Sequence, residues 1–65
     1  MKITPELVEI IIELHVLFDD YKKISAWLQT ENYNFGGVTP IQLINRGRGK
    51  KVYEFIRYAQ YEAEI

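Results

Sequence analysis

The segment Phe35-Gly36-Gly37-Val38-Thr39-Pro40-Ile41-Gln42-Leu43 constrains this chain more than any other. Two successive glycines take positive φ without steric cost, so the chain reverses there. Thr39 then reads as a helix N-cap, Pro40 as the first helical residue and Gln42 as the third position, which makes a capping box. Val38 and Leu43 stand where a hydrophobic staple would join them across that box. A short helix therefore runs from about Pro40 to Asn45 and ends before Gly47.

The same reading carries to the rest of the chain. Thr4-Pro5 is a second N-cap and first-turn pair, with Glu6 near the positive end of the helix it opens. Leu7, Ile10, Ile11, Leu14, Leu17 and Phe18 recur at helical spacing, and Val8, Ile12 and Val16 widen that apolar face. The stripe is broader than a helix of a tiny domain needs. Either this helix is central or part of it is covered by a second molecule. Asp19-Asp20 reads as a stop and a new cap, followed by a helix from about Tyr21 to Gln29 with Tyr21, Ile24, Trp27 and Leu28 on one side. The loop after it holds two asparagines and two glycines, residues that tolerate positive φ. A last helix runs from about Gly49 to near Glu62 with Val52, Phe55, Ile56 and Ala59 inward, and Tyr53, Tyr58 and Tyr61 off that face. The expected fold is all-α: a compact bundle of about four helices, one domain over residues 1–65, with the Gly-Gly loop between helices 2 and 3.

Sixty-five residues leave room for one core, and no cysteine is available to staple it. One tryptophan, five tyrosines and three phenylalanines supply large apolar groups for that core or for an interface. The formal net charge of -1 is the wrong balance for a dedicated nucleic-acid binder. Glu6, Glu9 and Glu13 interrupt the first apolar run, so it is neither a signal core nor a membrane span. The cytoplasm is the expected location.

Little here suits catalysis. His15 is the lone histidine and sits between Leu14 and Val16, with no base or metal partner in view. Ser25 lacks a nucleophile elbow and falls in mid-helix. Asp19 and Asp20 are adjacent and so point to different sides, which favours capping over a metal or carboxylate pair. No enzymatic activity, cofactor or metal is expected. Arg46-Gly47-Arg48-Gly49-Lys50-Lys51 packs four cations before a helix start, where they oppose the helix dipole. It could be a solvated loop, a contact for an acidic protein surface, or a nucleic-acid contact with steep salt dependence.

The residues Ala26-Trp27-Leu28, Thr30, Asn32, Phe35-Gly36-Gly37, Thr39-Pro40, Leu43, Gly49 and Val52, in that order, resemble the toxin-binding domain of the Xre/MbcA/ParS antitoxin family. The likeness spans about half of the chain, and most of the matched residues have a structural reason to be there. Glu31 and Tyr33 stand where relatives often have prolines, and the chain has no room for the DNA-binding helix-turn-helix domain of fuller members. The resemblance implies a compact helical module, in a bacterial toxin-antitoxin system, that pairs with a cognate toxin. That partner is usually a RES-type enzyme that consumes NAD, and the antitoxin shields its active site, often with its C-terminal segment. The residues expected to meet a partner are Arg46, Arg48, Lys50, Tyr58, Tyr61, Glu62, Glu64 and Ile65. A homo-oligomer joined through helix 1 is the other expectation, either beside toxin binding or, as an alternative function, in its place.

Overall fold

The computed structural model describes residues 3–63. Thr4 accepts a hydrogen bond from the Leu7 amide at 3.2 Å and starts α1, Pro5–Leu17, with Pro5 in its first turn. Asp20 accepts from the Lys22 amide at 2.8 Å and starts α2, Tyr21–Gln29. A 3-10 turn, Tyr33–Phe35, leads to α3, Pro40–Asn45, and then to α4, Gly49–Ala63. No strand occurs among the described residues. The all-α bundle expected from the sequence is what forms.

The connection between α2 and α3 is closed by its own hydrogen bonds. Asn32 caps the 3-10 turn through its side chain, its amide donates to the Val38 carbonyl at 3.0 Å, and its carbonyl accepts from Gly37 at 3.1 Å. The glycines alone take positive φ here, 74° at Gly36 and 85° at Gly37. The asparagines serve as hydrogen-bonding groups rather than as positive-φ residues, which corrects the sequence expectation. Thr39 then accepts from the Gln42 amide at 3.1 Å, while Gln42 Oε1 accepts from the Thr39 amide at 2.9 Å, completing the capping box. At the other end of α3 the Gly47 amide donates to Ile44 and the Arg48 amide to Leu43. This paired reversal is the usual way a short helix satisfies its last carbonyls.

Short helices such as α2 and α3 are not stable by themselves and depend on burying an apolar side. Leu7, Ile10 and Leu14 of α1, Ile24 and Leu28 of α2, Leu43 and Ile44 of α3, and Val52 and Ile56 of α4 form the core. α1 packs mainly on α4, which also receives α3, and α2 bridges α1 and α3. Trp27, Phe35 and Phe55 close one edge, half-buried rather than central. The Trp27 and Phe55 rings stack 6.3 Å apart, and Phe35 meets both edge-on at 6.1 and 5.2 Å.

The inner face of α4 differs from the sequence reading. Gln60 is buried, and Phe55 and Ala59 are only partly so. Gln60 follows Val52 and Ile56 at the four-residue spacing that keeps a row on one side of a helix. Its amide is satisfied twice, by the Glu13 carbonyl at 2.8 Å and the Glu13 carboxylate at 2.9 Å. Arg57 Nη1 reaches the same carboxylate at 3.2 Å. At the opposite end the Glu6 carboxylate lies over Gly49, where a side chain would displace it. The flexible end of Glu6 could move aside for a side chain, so the contact does not by itself require glycine there, but it brings an acid to the positive end of the helix. Tyr21 is the other correction. It shares a helical side with Ile24 but remains 61% exposed, leaning over α1 instead of entering the core.

Two outcomes follow for stability. Thr39→Ala removes the α3 cap and should cost about 1 kcal/mol, whereas Leu14→Ala should cost about 3 kcal/mol by opening a core cavity; urea denaturation of both variants checks the order. The second concerns Glu13. The hydrogen bond from Gln60, and next that from Arg57, hold its carboxyl below the usual carboxylate range, against a smaller opposing effect of burial. A depressed folded-state value adds stability that is present above the ordinary carboxylate range and is lost as pH falls through the folded value. Melting temperatures of the native chain and Glu13→Gln, taken from neutral pH into acid, should therefore converge as the pH falls.

Candidate partner-binding surface

α4 presents a continuous outer face opposite its buried row. Lys50, Lys51, Glu54, Tyr58, Tyr61 and Glu62 are all exposed, and at 100° per residue they share that side. Tyr58 is 61% and Tyr61 63% exposed, which is costly surface for two large rings to leave open. They stand three residues apart, one above the other, as paired anchors on a helix do. Glu62 flanks them, while Glu64 and Ile65 lie outside the described residues.

The basic cluster sits at the other end. Arg46 is the cap residue of α3, Arg48 closes the reversal, and Lys50 and Lys51 occupy the first turn of α4. All four side chains are exposed. Among the described residues the ion pairs are Lys23 with Asp19 and Arg57 with Glu13, and none of the four basic side chains takes part in them. Lys50 and Tyr61 are separated by about 16 Å along the helix axis. Of the expected partner-contacting residues, Lys50, Tyr58, Tyr61 and Glu62 thus share one side of α4 without forming one pocket, whereas Arg46 and Arg48 precede that helix. An extended protein surface fits that spacing, and a small ligand does not.

Nothing in this arrangement resembles a reaction centre. His15 is exposed on α1, away from α4. Asp19 pairs with Lys23 and Asp20 caps α2. Ser25 Oγ accepts from Gln29 at 2.8 Å. No group of three or more His, Cys, Asp or Glu side chains that could hold a metal occurs among the described residues. No described helix is long and apolar enough to cross a membrane.

A second exposed surface lies on α1. Ile3, Val8, Ile12 and Tyr21 surround a shallow groove of about 400 Å³, with the more buried Leu7 and Ile11 beneath. The residues that broaden the α1 stripe therefore remain open, although α1 also packs on α2 and α4. Of the two readings left open by the sequence, the structure bears out the first: α1 is central, and part of its outer side is uncovered.

The motif residues have plain structural jobs. Leu28, Pro40, Leu43, Gly49 and Val52 are buried, Trp27 joins the aromatic edge, and Asn32, Gly36, Gly37 and Thr39 shape the connection. Gln60 and Glu13 were missed by sequence reasoning. The four-residue row Val52, Ile56, Gln60 was the signal for the first, and the second had none, because a glutamate on a helix is ordinarily solvated.

Comparison with known proteins bears on these same elements. The model of the family described as the antitoxin Xre/MbcA/ParS C-terminal toxin-binding domain matches residues 13–51, from the end of α1 to the first turn of α4. Searches of curated proteins and of solved structures give no match. With most of its length matched, and with the matched loop, cap and core residues all in structural use, this chain belongs to the Xre/MbcA/ParS antitoxin family as a toxin-binding domain.

Proposed function

We propose that the chain neutralises a toxin enzyme by covering its active site with the outer face of α4 and the residues that follow. The observation that carries this is the pair of exposed rings, Tyr58 and Tyr61, on the last helix of a toxin-binding domain. Steric occlusion needs no chemistry from the antitoxin, so the proposed role is non-enzymatic. A RES-type enzyme that consumes NAD is the proposed partner, by family likeness, and a bacterial cytoplasm the proposed setting. Tyr58 and Tyr61 would anchor the contact, because aromatic side chains bury much area at small conformational cost. Glu62, Glu64 and Ile65 would extend it toward the active site. Arg46, Arg48 and Lys50, free of partners within the described chain, would meet acidic groups at the rim and speed encounter.

A second reading draws on the bare α1 face: a stand-alone homodimerisation module with no toxin. The two readings separate in one experiment. The tagged chain and a variant lacking residues 61–65 are used for affinity capture from the native cytoplasm. Recovery of one stoichiometric enzyme by the full chain alone supports occlusion by the tail. Equal recovery by both removes the tail from the interface, and recovery of untagged bait alone favours the homodimer.

With the captured enzyme in hand, Tyr58→Ala and Tyr61→Ala should each weaken binding about 30-fold, as loss of a central aromatic anchor does. Both rings are exposed, so circular dichroism should be unchanged. Arg46→Glu with Arg48→Glu should slow association most at low salt and little at high salt, since rim charges are screened.

A further inference from the structure

We propose that Gln60 and Glu13 are positioning residues for partner binding: their contact holds the end of α4 against α1 and so fixes where Tyr58 and Tyr61 point. The role in binding rests on the reading of α4 as the toxin-facing helix; the contact itself does not.

The apolar anchorage of α4 stops short of its two exposed rings. Val52 and Ile56 lie in the core, and beyond Ile56 the one buried residue among those described is Gln60, with Ala59 partly covered. The stretch from Arg57 to Ala63, about 10 Å of helix, carries both tyrosines. A helix end with so little buried apolar contact opens at small cost. What holds this one is polar and converges on a single residue of α1. The Gln60 amide donates to the Glu13 carbonyl at 2.8 Å and to its carboxylate at 2.9 Å, and Arg57 Nη1 reaches the same carboxylate at 3.2 Å. Arg57 is exposed, so its ion pair contributes little in water, and the buried amide does most of the holding.

The contact also sets direction. Gln60 stands on the inner side of α4, with Tyr61 about 100° and Tyr58 about 160° round the helix from it. Fixing the inner side therefore aims the outer one. A buried apolar side chain can slide or turn and stay satisfied, whereas the Gln60 amide must meet its acceptors or remain desolvated without them. A leucine at this position would fill similar space but would not specify the angle.

Order at the end of α4 matters to a partner because a frayed end must be ordered at the moment of binding. If that end holds the binding conformation for only a fraction of the time, the apparent dissociation constant rises by the inverse of the fraction. An ordered fraction of about one-tenth thus weakens binding about ten-fold with every contacting side chain still present. Glu13, on α1, in this way controls a surface carried by another helix.

Hydrogen exchange of the isolated full chain tests the contact without any toxin. In Gln60→Leu the amides from Arg57 to Ala63 should lose protection about ten-fold, while those of Ile10, Ile24 and Leu43 stay near their native values. Against the captured enzyme, Gln60→Leu should weaken binding about ten-fold. Glu13→Ala should act in the same direction, and Glu13→Gln, which keeps a side-chain oxygen for the Gln60 amide, should bind much as the native chain does. In a Tyr61→Ala background the penalty of Gln60→Leu should shrink, since a positioning residue acts through the ring it places; a merely structural role would leave that penalty whole. Unchanged protection of residues 57–63 in Gln60→Leu would overturn the proposal. So would native binding by Gln60→Leu where Tyr61→Ala binds poorly, or an undiminished penalty in the Tyr61→Ala background. Native binding by both Tyr58→Ala and Tyr61→Ala would instead overturn the toxin reading of α4, and the role in binding with it, while the exchange result still decides the contact.

Discussion

The packing of α1 on α4 is what the rest of the molecule depends on. α2 and α3 are too short to persist as free helices. They are held because Ile24, Leu28, Leu43 and Ile44 find the apolar sides of the two longer helices. Those longer helices come from the two ends of the chain, so the core closes only when the ends meet. The Gln60 amide on the Glu13 carbonyl and carboxylate fixes how they meet. An apolar row tolerates small sliding, but a buried amide does not, since any shift would leave a desolvated donor without an acceptor.

The family resemblance is carried by a part of the chain that cannot make this core alone. Residues 13–51 hold the cap, the Gly-Gly reversal and α2 and α3, but only the ends of α1 and α4. The matched segment turns the chain and presents short helices, and the flanking parts of α1 and α4 complete its core.

Occlusion places its demands on exposed residues. Tyr58, Tyr61 and the cations from Arg46 to Lys51 are exposed and have few intramolecular obligations among the described residues, as the proposed occlusion requires. The uncovered apolar stripe of α1 has the same character. The two exposed surfaces differ in chemistry, one aromatic and charged and the other mainly aliphatic.

By itself the sequence determined the helices and their ends, because capping and positive φ are local matters. Thr4, Asp20, Thr39 and Gly36-Gly37 each act within a few residues of where they stand. It also determined most of the core, through the helical spacing of its apolar residues. Tertiary structure alone decided which part of the broad α1 stripe is buried, since Ile10 and Ile12 are equally apolar and only the placement of α2 and α4 distinguishes them. It likewise decided that Gln60 goes inside, because the acceptor that makes this burial tolerable comes from the far end of the chain, and that Tyr21 stays out. Periodicity ranks the sides of a helix by apolarity. Which of them loses its water is set by neighbours that no local pattern encodes.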